Sequence, residues 1–172
     1  MRVDEGEFRA FVVAQAPALR RTAYVLCGDW HHAEDLVQSA LVKLYVSWPR
    51  IRDRSALHAY VRRILIRVFV DEGRRSWRRE DPTAELSDVS AATESAVDDR
   101  LALVQALNRL PPRQRACIVL RYWEDFTVEA TAEAVGCRPG TVKSQSSRGL
   151  DTLRRLLNQE ADVIATHEGR IR

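Results

Sequence analysis

The sequence predicts an all-α protein: two small helical domains joined by a flexible acidic linker. Three features support this. Apolar residues recur at helical spacing in several separate stretches. Glycine, proline and short polar capping residues fall between those stretches, where helices start and stop. Glu80 to Asp99 has no Lys or Arg, contains Pro82 and is rich in small residues, which is the composition of a linker. The expected boundaries are a first domain over 1–80, the linker over 81–95, a second domain over 96–160 and a polar tail over 161–172.

The first helix is expected over 4–26, with Phe8, Phe11, Val12, Leu19, Ala23 and Leu26 on its apolar face. Pro17 predicts a kink or restart within it, because proline has no N–H to donate. Gly28 closes the segment, and Asp29 can cap the next helix. Residues 30–48 form that helix, with a stripe of Leu36, Val37, Ala40, Leu41, Leu44, Tyr45 and Trp48. Glu34, Asp35, Gln38, Ser39 and Lys43 occupy its other face.

Pro49 ends that helix, and 49–55 is a short basic loop. Ser55 is placed to cap a helix from Ala56 to about Arg75, whose stripe is Leu57, Tyr60, Val61, Ile64, Leu65, Val68 and Phe69. Arg62, Arg63, Arg67, Arg74 and Arg75 lie off the stripe, and Trp77 comes shortly after. Between Arg50 and Arg79 the only acids are Asp53, Asp71 and Glu72. So lopsided a basic helix, with an aromatic near its end, suits a phosphate backbone and unstacked bases.

After the linker, Ser95 can cap a helix that turns Val97, Leu101, Val104 and Leu107 inward. Pro111 and Pro112 break the chain, and Pro112 opens a helix in which Ala116, Val119, Leu120 and Trp123 are expected to pack.

Residues 127–157 then read as a helix-turn-helix. Thr127 caps the first helix, and Val128, Thr131, Ala132 and Val135 share a face. Gly136 suits the left-handed position past its end, and Pro139 suits the first turn of the second helix. Val142, Leu150, Leu153 and Leu157 point inward, leaving Thr141, Lys143, Ser144, Gln145, Ser147 and Arg148 outward. A helix of this kind can enter the major groove of DNA. Arg148 can fork onto a guanine edge and Gln145 onto adenine, while Lys143, Ser144 and Ser147 suit phosphates or neighbouring bases.

Composition narrows the function. The 172 residues carry a net charge of only +3, so the local basic clusters matter more than the total. No apolar run is long enough to span a membrane, and no signal peptide opens the chain, so a cytoplasmic protein without membrane insertion is expected. Cys27, Cys117 and Cys137 are isolated, as reduced thiols would be; Cys137 is read as a small turn residue before a redox sensor. His31 and Asp35 stand four apart on a helix face, but no further ligand accompanies them, so no metal or cofactor is expected. No nucleophile–base pair or phosphate loop points to an enzyme.

With both halves in view, the chain resembles the ECF (group IV) sigma factors of bacterial RNA polymerase, within the sigma-70 family, and among them the SigE-like actinobacterial subfamily. Residues 33–48 are similar to region 2.2, residues 59–80 to regions 2.3 and 2.4, and residues 110–157 to region 4. The resemblance implies a transcription initiation factor that binds core RNA polymerase and reads −10 and −35 promoter elements. Asp35 and Gln38 would grip the coiled coil of the largest subunit, and region 4 would sit on the flap of the second-largest.

The loop 49–55 would capture a flipped −10 base, making Arg50, Arg52, Arg62, Arg63, Arg67, Arg74, Arg75 and Trp77 the candidate −10 contacts. Arg138, Thr141, Lys143, Ser144, Gln145, Ser147 and Arg148 are the candidate −35 contacts. An anti-sigma factor is a further partner that the resemblance allows. The competing reading is a helix-turn-helix regulator that acts without core polymerase; it leaves the arginine-rich helix unexplained. Three residues depart from the family pattern: Arg67 in place of a common Asn, Arg138 in place of a capping Ser or Asp, and Ser146 in place of an apolar residue on the buried face.

Overall fold

The computed structural model describes the backbone of residues 5–78 and 95–168, and side-chain surroundings over 5–74 and 99–159. Among these residues the regular structure is helical. The order is α1 (Glu5–Cys27), α2 (Trp30–Ser47), a 3₁₀ turn (Trp48–Arg50), α3 (Leu57–Arg78), α4 (Ser95–Asn108), α5 (Pro112–Ile118), a π turn (Val119–Trp123), α6 (Val128–Val135) and α7 (Pro139–Glu168). The expected acidic linker, and the tail beyond Glu168, lie outside the described residues.

Helices α1, α2 and α3 pack on one another. Leu19, Ala23 and Leu26 of α1 meet Leu36, Ala40 and Leu44 of α2 and Val61 and Leu65 of α3 in a buried core. Trp48 closes one end. Its ring lies edge-on to Phe8 at 5.0 Å and tilted to Phe11 at 5.6 Å, and it is almost wholly buried. Aromatic clusters of this kind add packing contacts with a defined geometry to the area they bury.

Helix α1 runs unbroken through Pro17 where the sequence suggested a kink or restart. The carbonyl that Pro17 cannot satisfy belongs to Val13, which is 71% exposed, so water can serve it. Gly28 and Asp29 behave as expected. Gly28 is left-handed at φ +74°, and Asp29 accepts from the His32 N–H at 2.7 Å. A Cβ at Gly28 would also overlap the side-chain amide of Asn108, so the position requires glycine twice over.

Ser55 does not cap α3. Its N–H and hydroxyl both donate to Asp53 Oδ1, at 2.9 and 2.6 Å, closing a local turn before the helix begins at Leu57.

The second module is α4 to α7, with α5 and α6 packed on α7. Between α5 and α6 the helix widens: Glu124 N–H reaches Val119 O at 3.0 Å, across five residues. That extra residue rotates the end of the helix. Trp123, expected in the core, is 53% exposed, while Val119 and Leu120 remain buried.

The two modules dock. Helix α3 contacts α5 and α6, and α1 contacts α4 and the π turn. Ile66 and Val70, which lie off the α3 stripe, are also buried, and one continuous apolar cluster runs through both modules.

Candidate nucleic-acid interface

The helix-turn-helix forms as its caps dictate. Thr127 Oγ1 accepts from Ala130 N–H at 3.1 Å at the start of α6. Gly136, at φ 71° and ψ 50°, ends it in the left-handed conformation, with its N–H on Ala132 O at 2.9 Å. Thr131, Ala132, Ala134 and Val135 are buried, and Val128 is half-buried. Pro139 opens α7, and Val142 and Leu153 anchor it in the core, with Leu150 and Leu157 half-buried.

This anchoring sets the outer face. Ser144, Gln145 and Arg148 lie three, four and seven residues beyond Thr141 and so share with it a stripe about two turns long. Ser144 and Arg148 are exposed; Thr141 and Gln145 are half-buried. Lys143 and Ser147, both exposed, flank the stripe, and Arg138 is exposed in the turn before it. Ser144 Oγ donates to Thr141 O at 3.0 Å, so its hydroxyl is already oriented by the helix. Ser146 faces the core as expected. It is 6% exposed, and among the described residues its hydroxyl has no hydrogen-bond partner.

The first module carries the other basic surface. Arg50, Arg52 and Arg74 are exposed. The side chains of Arg75 and Trp77 lie outside the described residues. Arg62, Arg63 and Arg67 point at the second module. Arg62 pairs with Glu124 at the end of the π turn; Thr22 Oγ1 donates to the same carboxylate. Arg63 donates to Glu133 Oε1 at 2.7 Å, and Arg67 to the Glu133 carbonyl at 3.1 Å.

Sequence reasoning missed these acidic partners, since Glu124 and Glu133 read as ordinary polar positions. It also missed Arg54, whose guanidinium lies 4.3 Å from the centre of the Trp48 ring and pairs with Glu7 at 3.1 Å. Arg115 is a further omission, since nothing in a basic chain marks one arginine as buried. It donates to the Leu26 carbonyl, to Asn108 Oδ1 and O at 2.8 and 2.7 Å, and to Leu110 O at 3.0 Å. Burial lowers its pKa to about 10, yet it stays charged at neutral pH and ties the end of α1 to the α4–α5 corner.

On α2, Asp35 and Gln38 are exposed, as expected. Val42 and Val46, 64% and 67% exposed, and Tyr45 lie farther along the same helix, so the α2 surface is more apolar than its spacing alone suggests. Glu34 pairs with Arg20. His32, at the start of α2, meets Glu72 of α3 at 2.9 Å. Its pKa is raised to about 9, first by a hydrogen bond with Cys27 and then by Glu72, against the opposing effect of burial. Burial pushes the Cys117 thiol up to about 11 and also raises that of Cys137, which favours inert thiols. Among the described residues no group of three or more His, Cys, Asp or Glu is arranged to hold a metal, and no helix is long and apolar enough to cross a membrane.

Residues 11–79 match the family model for sigma-70 region 2, and residues 100–153 match that for sigma-70 region 4. The RNA polymerase sigma-E factor of Streptomyces avermitilis is 41% identical over 150 residues, covering 86% of this chain and 83% of the relative. The chain belongs to the ECF sigma factors, of the SigE-like type.

The ECF sigma factor SigM of Mycobacterium tuberculosis is 31% identical over 141 residues, covering 81% of this chain and 71% of SigM. Among solved structures, the sigma factor RpoE of Bartonella quintana, in complex with the anti-sigma factor NepR, superposes with a TM-score of 0.68 at 32% identity, over 88% of this chain and 97% of that one. The two matched regions correspond to the α1–α3 module and the α4–α7 module. As an ECF sigma factor the chain serves alternative-sigma transcription initiation, and a helix-turn-helix regulator working without polymerase is not favoured.

Proposed function

We propose that this sigma factor grips core RNA polymerase through the outer face of α2 and the α4–α7 module, and reads its promoter with two separate surfaces. Asp35 and Gln38 bind the coiled coil of the largest subunit, with Val42 and Val46 beside them as apolar contacts. The α4–α7 module sits on the flap of the second-largest subunit. Thr141, Lys143, Ser144, Gln145, Ser147 and Arg148, led in by Arg138, enter the −35 major groove. Arg50, Arg52, Arg62, Arg63, Arg67, Arg74, Arg75 and Trp77 bind and open the −10 element.

The functional units are 1–80 and 96–160, with 81–95 as the acidic connector and 161–172 as a tail. The protein works in the cytoplasm, on the nucleoid once bound to polymerase, and is not itself a catalyst. Since the related RpoE is held by an anti-sigma factor, a protein of that kind is a further partner.

The observation that supports this reading best is the α7 stripe. A capped α6 and a left-handed Gly136 present four residues with base- and phosphate-directed chemistry on one face of a helix rooted in the core. The test is transcription in vitro. Core polymerase supplemented with the purified chain should start at promoters that share a −10 and −35 pair, located by sequencing transcript 5′ ends. Failure to start at any defined promoter above core alone overturns the proposal.

A further inference from the structure

The arginines assigned to the −10 element are not all free. Arg62, Arg63 and Arg67 lie on one side of α3, and each meets a group of the second module. Glu124 takes Arg62, the Glu133 carboxylate takes Arg63, and the Glu133 carbonyl takes Arg67. The Arg62 and Glu124 side chains are only 19% and 9% exposed, so a nucleic-acid phosphate cannot reach the pair without separating the modules. A carboxylate facing an arginine fork presents the same planar, anionic oxygens that a phosphodiester offers. The docking is fastened elsewhere by Thr22 on Glu124 and by Arg115 on the Leu26 carbonyl.

Geometry requires this arrangement to be temporary. The two promoter elements are centred about 25 base pairs apart, or roughly 85 Å at the rise of duplex DNA. A compact chain of this length is only about 40 Å across. Fully extended, the segment between Arg78 and Ser95 can reach roughly 55 Å, so undocked modules can cover the span.

We propose that the Glu124 and Glu133 carboxylates are internal stand-ins for DNA phosphates: they hold the free sigma factor closed and occupy Arg62 and Arg63, while the Glu133 carbonyl holds Arg67, three of the arginines assigned to the −10 element. This inference rests on the −10 assignment made above. In the closed state, DNA must displace the carboxylates before it gains the arginines. A partner that parts the modules, core polymerase first of all, therefore also releases the DNA-opening surface.

The test uses the full-length free chain and a fluorescein-labelled 20-nucleotide oligo-dT. Glu124→Gln and Glu133→Gln, singly and together, keep side-chain shape; Glu133 is 60% exposed, so its variant removes the charge that meets Arg63 without leaving a buried group unpaired. The double variant should bind the oligonucleotide about tenfold tighter than wild type. Its radius of gyration by small-angle X-ray scattering should rise. Glu34→Gln removes a carboxylate that faces Arg20 instead, and should change neither. Arg62→Ala/Arg63→Ala/Arg67→Ala should lower oligo-dT binding in the Glu124→Gln/Glu133→Gln background.

An unchanged radius and unchanged affinity in the double variant overturn the latch. In that case a loss of binding in the arginine variant still leaves the −10 assignment standing. An opened chain with unchanged affinity overturns the masking and places the fault in the DNA assignment of the three arginines. An equal gain from Glu34→Gln overturns it too, by reducing the effect to net charge.

Discussion

Arg62 on α3 and Glu124 at the end of the π turn form an ion pair that is nearly enclosed between the two modules, with Thr22 donating to the same carboxylate. Enclosed pairs of this kind are costly to break from one side, because the remaining charge is left desolvated. Glu124→Ala should lower stability by about 3–5 kcal/mol. The joint replacement Arg62→Met/Glu124→Leu should restore most of the loss, because neither charge then stays buried. Urea unfolding of the two variants checks this; additive losses in the pair would show that the ion pair is not enclosed in solution.

The −35 reading predicts a split between two neighbours on α7. Arg148→Ala should cost about 1–3 kcal/mol and relax preference at one base position. Lys143→Ala should weaken binding to all sequences alike, since a phosphate contact carries no base information. Holoenzyme binding to a panel of single-base −35 variants separates the two. A uniform loss for Arg148→Ala would make it a backbone anchor and shift specificity to Gln145.

On the polymerase side, Asp35 is exposed on α2 while Leu36 and Val37 beside it are buried. Asp35→Lys should therefore weaken association with core polymerase while far-ultraviolet circular dichroism stays at the wild-type level. Wild-type affinity for core, with the fold intact, would remove Asp35 from the interface.

His32 gives a pH signature. Its pKa is raised from 6.5 to about 9, by Cys27 first and Glu72 next. A base whose folded pKa is raised adds stability that is complete below the unfolded value and fades as pH climbs through the folded one. Stability should therefore decline between pH 6.5 and about 9, and His32→Gln should flatten that decline. Chemical denaturation midpoints across this range decide it; an equal slope in the variant would assign the decline to other groups.

Ser146 is the site most open to improvement. Its hydroxyl is buried with no partner among the described residues, on a helix where alanine is the preferred residue. Ser146→Ala should raise stability by about 1 kcal/mol. A fall in the thermal midpoint would mean that the hydroxyl is satisfied in solution.

How far the sequence can be read depends on where the information lies. The caps at Asp29 and Thr127, the left-handed Gly28 and Gly136, and Pro139 at the start of α7 are local devices, and each stands where its residue type placed it. Spacing places most of the inward and outward residues of α2 and α7, but Tyr45, expected in the α2 stripe, is 41% exposed. Ser55 departs from its expected capping role because its hydroxyl and N–H turn back onto the Asp53 carboxylate, and the helix begins only two residues later, at Leu57. Trp123 departs from the core because a π turn breaks the 3.6-residue period on which its placement depends.

Pairing over distance is what spacing cannot show. Arg63 and Glu133 are 70 residues apart, and Arg115 is 89 from Leu26; each reads alone as a solvated charge. Ile66 and Val70 are likewise buried although they lie off the α3 stripe, on a helix that meets α5 and α6 of the other module as well as α1 and α2.

The widened turn at Val119–Trp123 also bears on how such a protein can diversify. An α-helix advances about 100° per residue, so one extra residue within a single turn resets the bearing of everything beyond it. Upstream, Ala116 and Cys117 keep their bearing toward the core; downstream, Glu124 is turned toward α3. The turn works as a phase shifter between two surfaces. If the outward side chains of α7 read the promoter as proposed, they can drift toward a new one while the clasp to the first module holds its angle. A one-residue deletion there would leave the recognition helix chemically intact and spoil its partnership with the rest of the chain.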